Sequence, residues 1–199
     1  MVKAKKLMIQ TFTKEQVVSI FEQPDKETFT GYRDFTMMMV LLERGMRISE
    51  LCNLKTGDIF FKESEIRITN GKGGRARRVP FQQTCGKIIR KYLDIRGDLE
   101  TDAMFVNIDS DKISTRALQD KMQVYGCAAD ITGVRVSPHT FRHTMAKFYI
   151  LNGDDPFTLR RILGHASLKM VDYYVEIFSS DIKQQHKKFS PVENMKRIL

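Results

Sequence analysis

Residues 59–80 read Ile59-Phe60-Phe61-Lys62-Glu63-Ser64-Glu65-Ile66-Arg67-Ile68-Thr69-Asn70-Gly71-Lys72-Gly73-Gly74-Arg75-Ala76-Arg77-Arg78-Val79-Pro80. From Ile66 to Thr69 apolar and polar residues alternate, the period of a half-buried strand. The glycine-dense run Asn70 to Gly74 then makes a turn, and Ala76 to Pro80 returns as the second arm of a hairpin with Lys72 at its tip. Ile59 to Phe61 supplies a third short strand. A small antiparallel sheet of three strands is predicted here.

Outward from this sheet the period changes from two to between three and four. Upstream, Thr13 and Gln16 form a capping-box pattern ahead of Val17, Ile20 and Phe21, which predicts a helix over 13–23 that ends near Pro24. Phe35, Met38, Met39 and Leu42 predict a buried helix over 32–43 that stops at Gly45, followed by a short helical piece from Ile48 to Leu54. Downstream, helices are expected over 84–95, 114–127, 138–152, 156–163, 167–176 and 180–188. The fold class is mainly α with a small three-stranded antiparallel sheet, an α+β arrangement.

At 199 residues the chain has room for one full domain. With 42% hydrophobic and 29% charged residues it can build a globular core, which excludes a disordered chain. The longest apolar stretch, Met37 to Leu42, is far below the ~20 residues of a membrane span, and Met1 to Gln10 has no apolar core of a secretory signal. Three cysteines, 52, 85 and 127, show no metal-ligand or C-x-x-C spacing and are read as ordinary thiols in a reducing cytoplasm. Against 24 acidic residues stand 33 Lys and Arg, a net charge of +9 that favours a polyanionic partner, nucleic acid or an acidic membrane face. Between Gly71 and Leu93 the run Lys72, Arg75, Arg77, Arg78, Lys87, Arg90 and Lys91 contains no acid; a charge run is more often a solvated face, but seven positives without an acid favour a phosphate-contacting surface.

Ser137-Pro138 is a helix start, with Ser as N-cap and Pro at the first helical position. His139, Arg142 and His143 then share one face at the positive end of the helix, a setting suited to an anion. Taken singly the signals are weak. A histidine at a helix start is more often structural, Arg47 with Glu50 is by default a surface ion pair, and the adjacent Tyr173 and Tyr174 are normally packing residues. Together they supply two arginines, a lysine, histidines and a tyrosine in a basic chain without a metal motif. That set suits phosphoryl transfer: guanidinium groups hold a phosphodiester, tyrosine attacks, histidine and lysine move protons.

At these residues the chain resembles the catalytic domain of the tyrosine recombinases, the phage-integrase family. Five blocks carry the resemblance in order: Gly45-Met46-Arg47-Ile48-Ser49-Glu50-Leu51; Gly71-Lys72-Gly73-Gly74 running to Arg78-Val79-Pro80; His139-Thr140-Phe141-Arg142-His143-Thr144; Leu163-Gly164-His165; and Tyr174, nine residues after that histidine. The resemblance implies that Tyr174 attacks a DNA phosphate to give a 3′-phosphotyrosyl bond and a free 5′-hydroxyl, with neither metal nor ATP and no cofactor. It implies that Arg47 and Arg142 clamp the phosphate, His139 acts as general base or hydrogen-bond partner, Lys72 as general acid and His165 as a second donor. Glu50 and His143 would support them, and Arg75, Arg77 and Arg78 would contact the DNA backbone. Tyr173 is the rival nucleophile, set behind Tyr174 because about 100° of helical rotation separates the two.

The implied partners are double-stranded DNA, further copies of the chain in a tetrameric synapse, and accessory DNA-bending or directionality proteins, in the cytoplasm and at the nucleoid if the source is bacterial; no membrane is involved. The organisation expected is an N-terminal arm or linker remnant over 1–12, a catalytic domain over 13–178, and a C-terminal helix and tail over 179–199, docked on its own domain or exchanged with a neighbouring protomer. Family members usually carry a helical core-binding domain ahead of this block, so the chain is either an excised fragment or a reduced form. Two rival readings are a type IB topoisomerase, which nicks and reseals one duplex, and a non-catalytic DNA-binding accessory protein with the same fold.

Overall fold

A computed structural model describes residues 9–69, 76–153, 155–164 and 168–178. The expected helix over 180–188 and the hairpin tip, Asn70 to Arg75, lie outside the described residues. The elements run α1 (Lys14–Glu22), α2 (Phe29–Arg44), α3 (Ile48–Cys52), a 3-10 turn (Thr56–Asp58), β1 (Ile59–Phe60), β2 (Glu65–Ile68), β3 (Arg77–Pro80), α4 (Gln83–Arg96), α5 (Thr115–Ala128), α6 (Pro138–Leu151), α7 (Pro156–Leu163) and α8 (Leu168–Phe178). The chain divides into two compact units, Met1–Met145 and Ala146–Leu199, and the division falls inside α6.

In the first unit the helix starts follow their caps. Thr13 and Gln16 exchange backbone-to-side-chain bonds of 3.0 and 3.2 Å at the start of α1, and Thr28 accepts from the Gly31 N–H at the start of α2. Helix α2 ends at Gly45, whose left-handed backbone (φ 56°, ψ 26°) is open to glycine at little cost. The sheet is an antiparallel meander in the order β1-β2-β3, with Ile66 opposite Val79 on the buried face. On its outer face Arg67 lies opposite Arg78, a like-charge pair that is unfavourable alone. It is relieved by Asp58 at 2.8 Å from Arg67 and Glu65 at 3.3 Å from Arg78, while both guanidinium groups lie against the Phe60 ring.

The stretch 97–113 forms neither helix nor strand, although the flanks of the sheet read helical. It is fixed instead by long-range bonds. Arg96 donates to the carbonyls of Gly97, Thr101 and Ala103, Tyr92 to that of Met104, and the Met104 N–H to that of Leu54. Two isolated bridges, Lys55 with Ala103 and Val106 with Lys112, complete the attachment. At the N-terminal end Phe12 is fully buried, edge-on to Phe141 at 5.1 Å, and its N–H donates to Thr144 of α6. The segment assigned to an arm thus contributes a core residue. Cys52 and Cys85 are buried thiols pushed up to about 11 and about 12, chiefly by desolvation, whereas Cys127 is exposed; none is in a disulfide.

In the second unit α7 is capped by Asp155, which accepts from the Phe157 and Thr158 N–H groups, with Pro156 in the first turn. Helices α7 and α8 pack against each other, and Leu159, Ile162, Leu163 and Val171 are buried. No helix among the described residues is long and apolar enough to cross a membrane.

Candidate active site

The corner between α2 and α3 organises the first unit's charged residues. Gly45 reverses the chain, Met46 is buried and Arg47 sits at the N-cap of α3 in extended backbone. Three residues on, the Glu50 carboxylate reaches back. Its Oε2 accepts the Arg47 backbone N–H at 2.9 Å and its Oε1 accepts Arg47 Nη1 at 3.1 Å. Arg77 of β3 then closes on the same carboxylate with both terminal nitrogens, Nη1 to Oε1 and Nη2 to Oε2, each at 2.9 Å.

A carboxylate has about four acceptor positions, and Glu50 fills four with its side chain only 1% exposed. Burial by itself pushes the Glu50 carboxyl up, but hydrogen bonds from Arg77 and the Arg47 backbone, with the charges of both arginines, hold it below its ordinary value. Glu50 is therefore an anion with no spare acceptor, suited to holding arginines and unsuited to taking protons. The apparent surface pair Arg47–Glu50 is half of a buried arrangement.

Arg142 lies 95 positions from Arg47 in sequence, yet its guanidinium donates to the Gly45 carbonyl at the end of α2. One turn of backbone thus carries Arg47 and receives Arg142. The helix that delivers Arg142 starts as expected, Ser137 accepting from the Thr140 N–H at 3.3 Å. His139, in that first turn, is exposed, and His143 is half-buried one turn on. Desolvation first, then the charges of His139 and Arg142, lower the His143 pKa, so protonation there is disfavoured.

Arg47, Glu50, Arg77, His139, Arg142 and His143 all belong to the first unit; Tyr173 and Tyr174 belong to α8 of the second. Tyr174 is 2% exposed and Tyr173 is half-buried. Lys72, Arg75 and His165 lie outside the described residues. Of the hairpin arginines, Arg78 is exposed and Arg77 is turned onto Glu50. That partnership was not foreseen, although strand alternation carried the signal: Arg77 lies on the same face of β3 as buried Val79. Among the described residues no group of three or more His, Cys, Asp or Glu is placed to hold a metal ion.

The profile of the Phage integrase family matches residues 10–180. The chain is 34% identical over 183 residues to a tyrosine recombinase XerC of Chlamydia muridarum, which covers 90% of the chain and 58% of that protein. It is 30% identical to a tyrosine recombinase XerA of Pyrococcus furiosus, covering 97% of the chain and 66% of the relative. The chain therefore spans about three fifths to two thirds of the length of these relatives. Among solved structures, that of a XerA recombinase superposes with a TM-score of 0.78 at 27% identity, covering 96% of this chain and 67% of that one. A XerH site-specific recombinase bound to its difH substrate shares the fold at a TM-score of 0.77 and 20% identity, covering 97% of this chain and 56% of that one.

Proposed function

Because this chain belongs to the phage integrase family, we propose that it carries the strand-cleaving and strand-joining chemistry of a site-specific tyrosine recombinase. The observation that carries the reading is the bond from Arg142 to the Gly45 carbonyl, which brings a second guanidinium to the turn that presents Arg47. Two guanidinium groups at one phosphate would offset the negative charge that grows on the non-bridging oxygens as the phosphorus becomes five-coordinate.

In this reading the Tyr174 hydroxyl oxygen attacks the phosphorus and gives up its proton, with His139 as base or hydrogen-bond partner. The bond from phosphorus to the 5′ oxygen breaks, and Lys72 protonates that oxygen. His165 is a further donor to the phosphate, and Glu50 and His143 support the arginines. A 3′-phosphotyrosyl bond and a free 5′-hydroxyl result. Attack by another strand's 5′-hydroxyl reverses the step, so the bond energy is kept and neither ATP nor a metal is required. Duplex DNA is the substrate, with Arg75 and Arg78 on its backbone. Exchange of strands needs further copies of the chain in a tetrameric synapse, with accessory DNA-bending or directionality proteins as further partners. A protein acting on DNA in this way would work in the cytoplasm, at the nucleoid if the source is bacterial.

The test is an SDS-resistant protein–DNA adduct on nicked, end-labelled DNA in EDTA. Wild type and Tyr173→Phe should form an adduct at a 3′ phosphate, and Tyr174→Phe should form none while binding DNA as before. An adduct persisting in Tyr174→Phe overturns the assignment. DNA bound without any adduct identifies a binding-only protein, and plasmid relaxation without strand exchange a topoisomerase.

A further inference from the structure

A buried carboxylate beside Arg47 poses an electrostatic problem. Arg47 alone against Glu50 would be a neutral pair, and a neutral pair attracts a phosphate weakly. Arg77 alters this balance, since two guanidinium groups on one carboxylate leave a net charge of +1. The geometry divides the labour between them. Both terminal nitrogens of Arg77 bond to Glu50, and its side chain is 17% exposed. Of its guanidinium Arg47 gives Glu50 only Nη1, its side chain is 33% exposed, and its Nε and Nη2 make no bond to the described residues. Arg77 also fixes the carboxylate plane. With both oxygens gripped by a rigid planar fork, Oε1 and Oε2 can receive Arg47 from one direction only.

We propose that Arg77 is a positioning residue of the cleavage site. Its two-pronged grip on Glu50 fixes the carboxylate that orients Arg47 and offsets that carboxylate's charge, so that Arg47 meets the scissile phosphate with its positive charge uncancelled. The proposal rests on the recombinase reading above. It differs from a DNA-backbone contact, in which Arg77 would bind phosphate itself, and from a purely structural ion pair, in which it would matter only for folding.

The test uses single-turnover adduct formation on nicked DNA with the full chain, comparing wild type, Arg77→Met and Arg77→Lys at a temperature where each is folded by circular dichroism. Arg77→Met should slow adduct formation by about 10- to 100-fold, in the range of losing one oriented donor. Its DNA affinity and the slope of affinity with salt should stay at the wild-type values. Arg77→Lys should recover part of the rate, because it restores the charge but not the fork. On DNA with a methylphosphonate at the scissile position, which lacks one non-bridging negative charge, the Arg77→Met defect should shrink, as that of Arg47→Ala should.

A salt slope reduced by about one, with the bound complex cleaving normally, would show a backbone contact and overturn the proposal. Equal slowing on both substrates would show a structural role and overturn it as well. If Arg77→Met does not fold, the comparison of the two substrates in Arg77→Lys decides. If wild type forms no adduct on bound DNA, the recombinase reading itself fails, an outcome separate from any difference among the variants.

Discussion

Two carboxylates in the first unit, Asp34 in α2 and Glu50 in α3, are buried to the same degree and are both held by arginine, with side chains 1% exposed in each case. Around Asp34 the partners are closed in. Arg33 is 6% exposed and donates Nε and Nη2 to Asp34 and Nη1 to the Val106 carbonyl, and Tyr125 donates to the other carboxylate oxygen at 2.8 Å. Around Glu50 the charges do not cancel. Two arginines share one carboxylate, and Arg47, 33% exposed, keeps Nε and Nη2 without a bond to the described residues. The first arrangement ties α2 to α5 and to the loop at Val106. The second spends the same kind of interaction on aiming a cation outward. What separates the two arrangements is their net charge and the exposure of the arginines, not the burial of the carboxylate.

The largest effect on folding is expected from Asp34→Asn, which leaves the buried Arg33 charge uncompensated at about 3–5 kcal/mol. At ~2–4 °C per kcal/mol for a domain of this size, the melting temperature should fall on the order of 10 °C. Thermal unfolding followed by circular dichroism checks this, and the cleavage rate of the remaining folded protein should be unchanged. An equal loss of rate in the folded fraction would erase the distinction between the two sites.

Arg47→Ala should give the opposite profile. Glu50 keeps Arg77, so folding loses little, while adduct formation should fall by about 10²–10³-fold, as for removal of a donor to a developing anion. Melting and single-turnover cleavage measured on the same preparation separate the two. A large drop in melting temperature with an unchanged rate would move Arg47 to the structural class.

The smallest effect is in the pH dependence. Glu50 is held below its ordinary value of 4.5 in the folded protein. Its pairing therefore contributes stability that is complete above the unfolded value and is lost as pH falls through the lower folded value. Glu50→Gln should be less stable than wild type at neutral pH, and urea midpoints of the two should converge as pH drops below 4.5. Midpoints that stay apart at acid pH would mean that the loss in Glu50→Gln is one of packing and not of charge.

Much of this architecture was legible in the sequence because it is decided within a few residues. The Thr13–Gln16 cap, the stop at Gly45, the Ser137-Pro138 start and the alternation in Ile66 to Thr69 are each local, and the structure has α1, α2, α6 and the hairpin arms within a few residues of their expected bounds. The order of the motifs along the chain was equally readable, and the family match over residues 10–180 agrees with it. The loop over 97–113 was not legible, because it has neither period nor caps and is held by Arg96, Tyr92 and Leu54 from elsewhere.

The candidate site divides the same way. Sequence alone nominated the candidate site residues and placed Arg47 and Glu50 three apart at one helix start. Only the tertiary structure decided that Glu50 is buried, that Arg77 arrives from β3 to take both its oxygens, and that Arg142 ends on the Gly45 carbonyl. The reason is physical. Backbone periodicity and capping are short-range and leave their mark in neighbouring residues, whereas the partner of a charge is set by how whole elements pack. An arginine that will be buried against a carboxylate is spelled the same way as one that will stay in water.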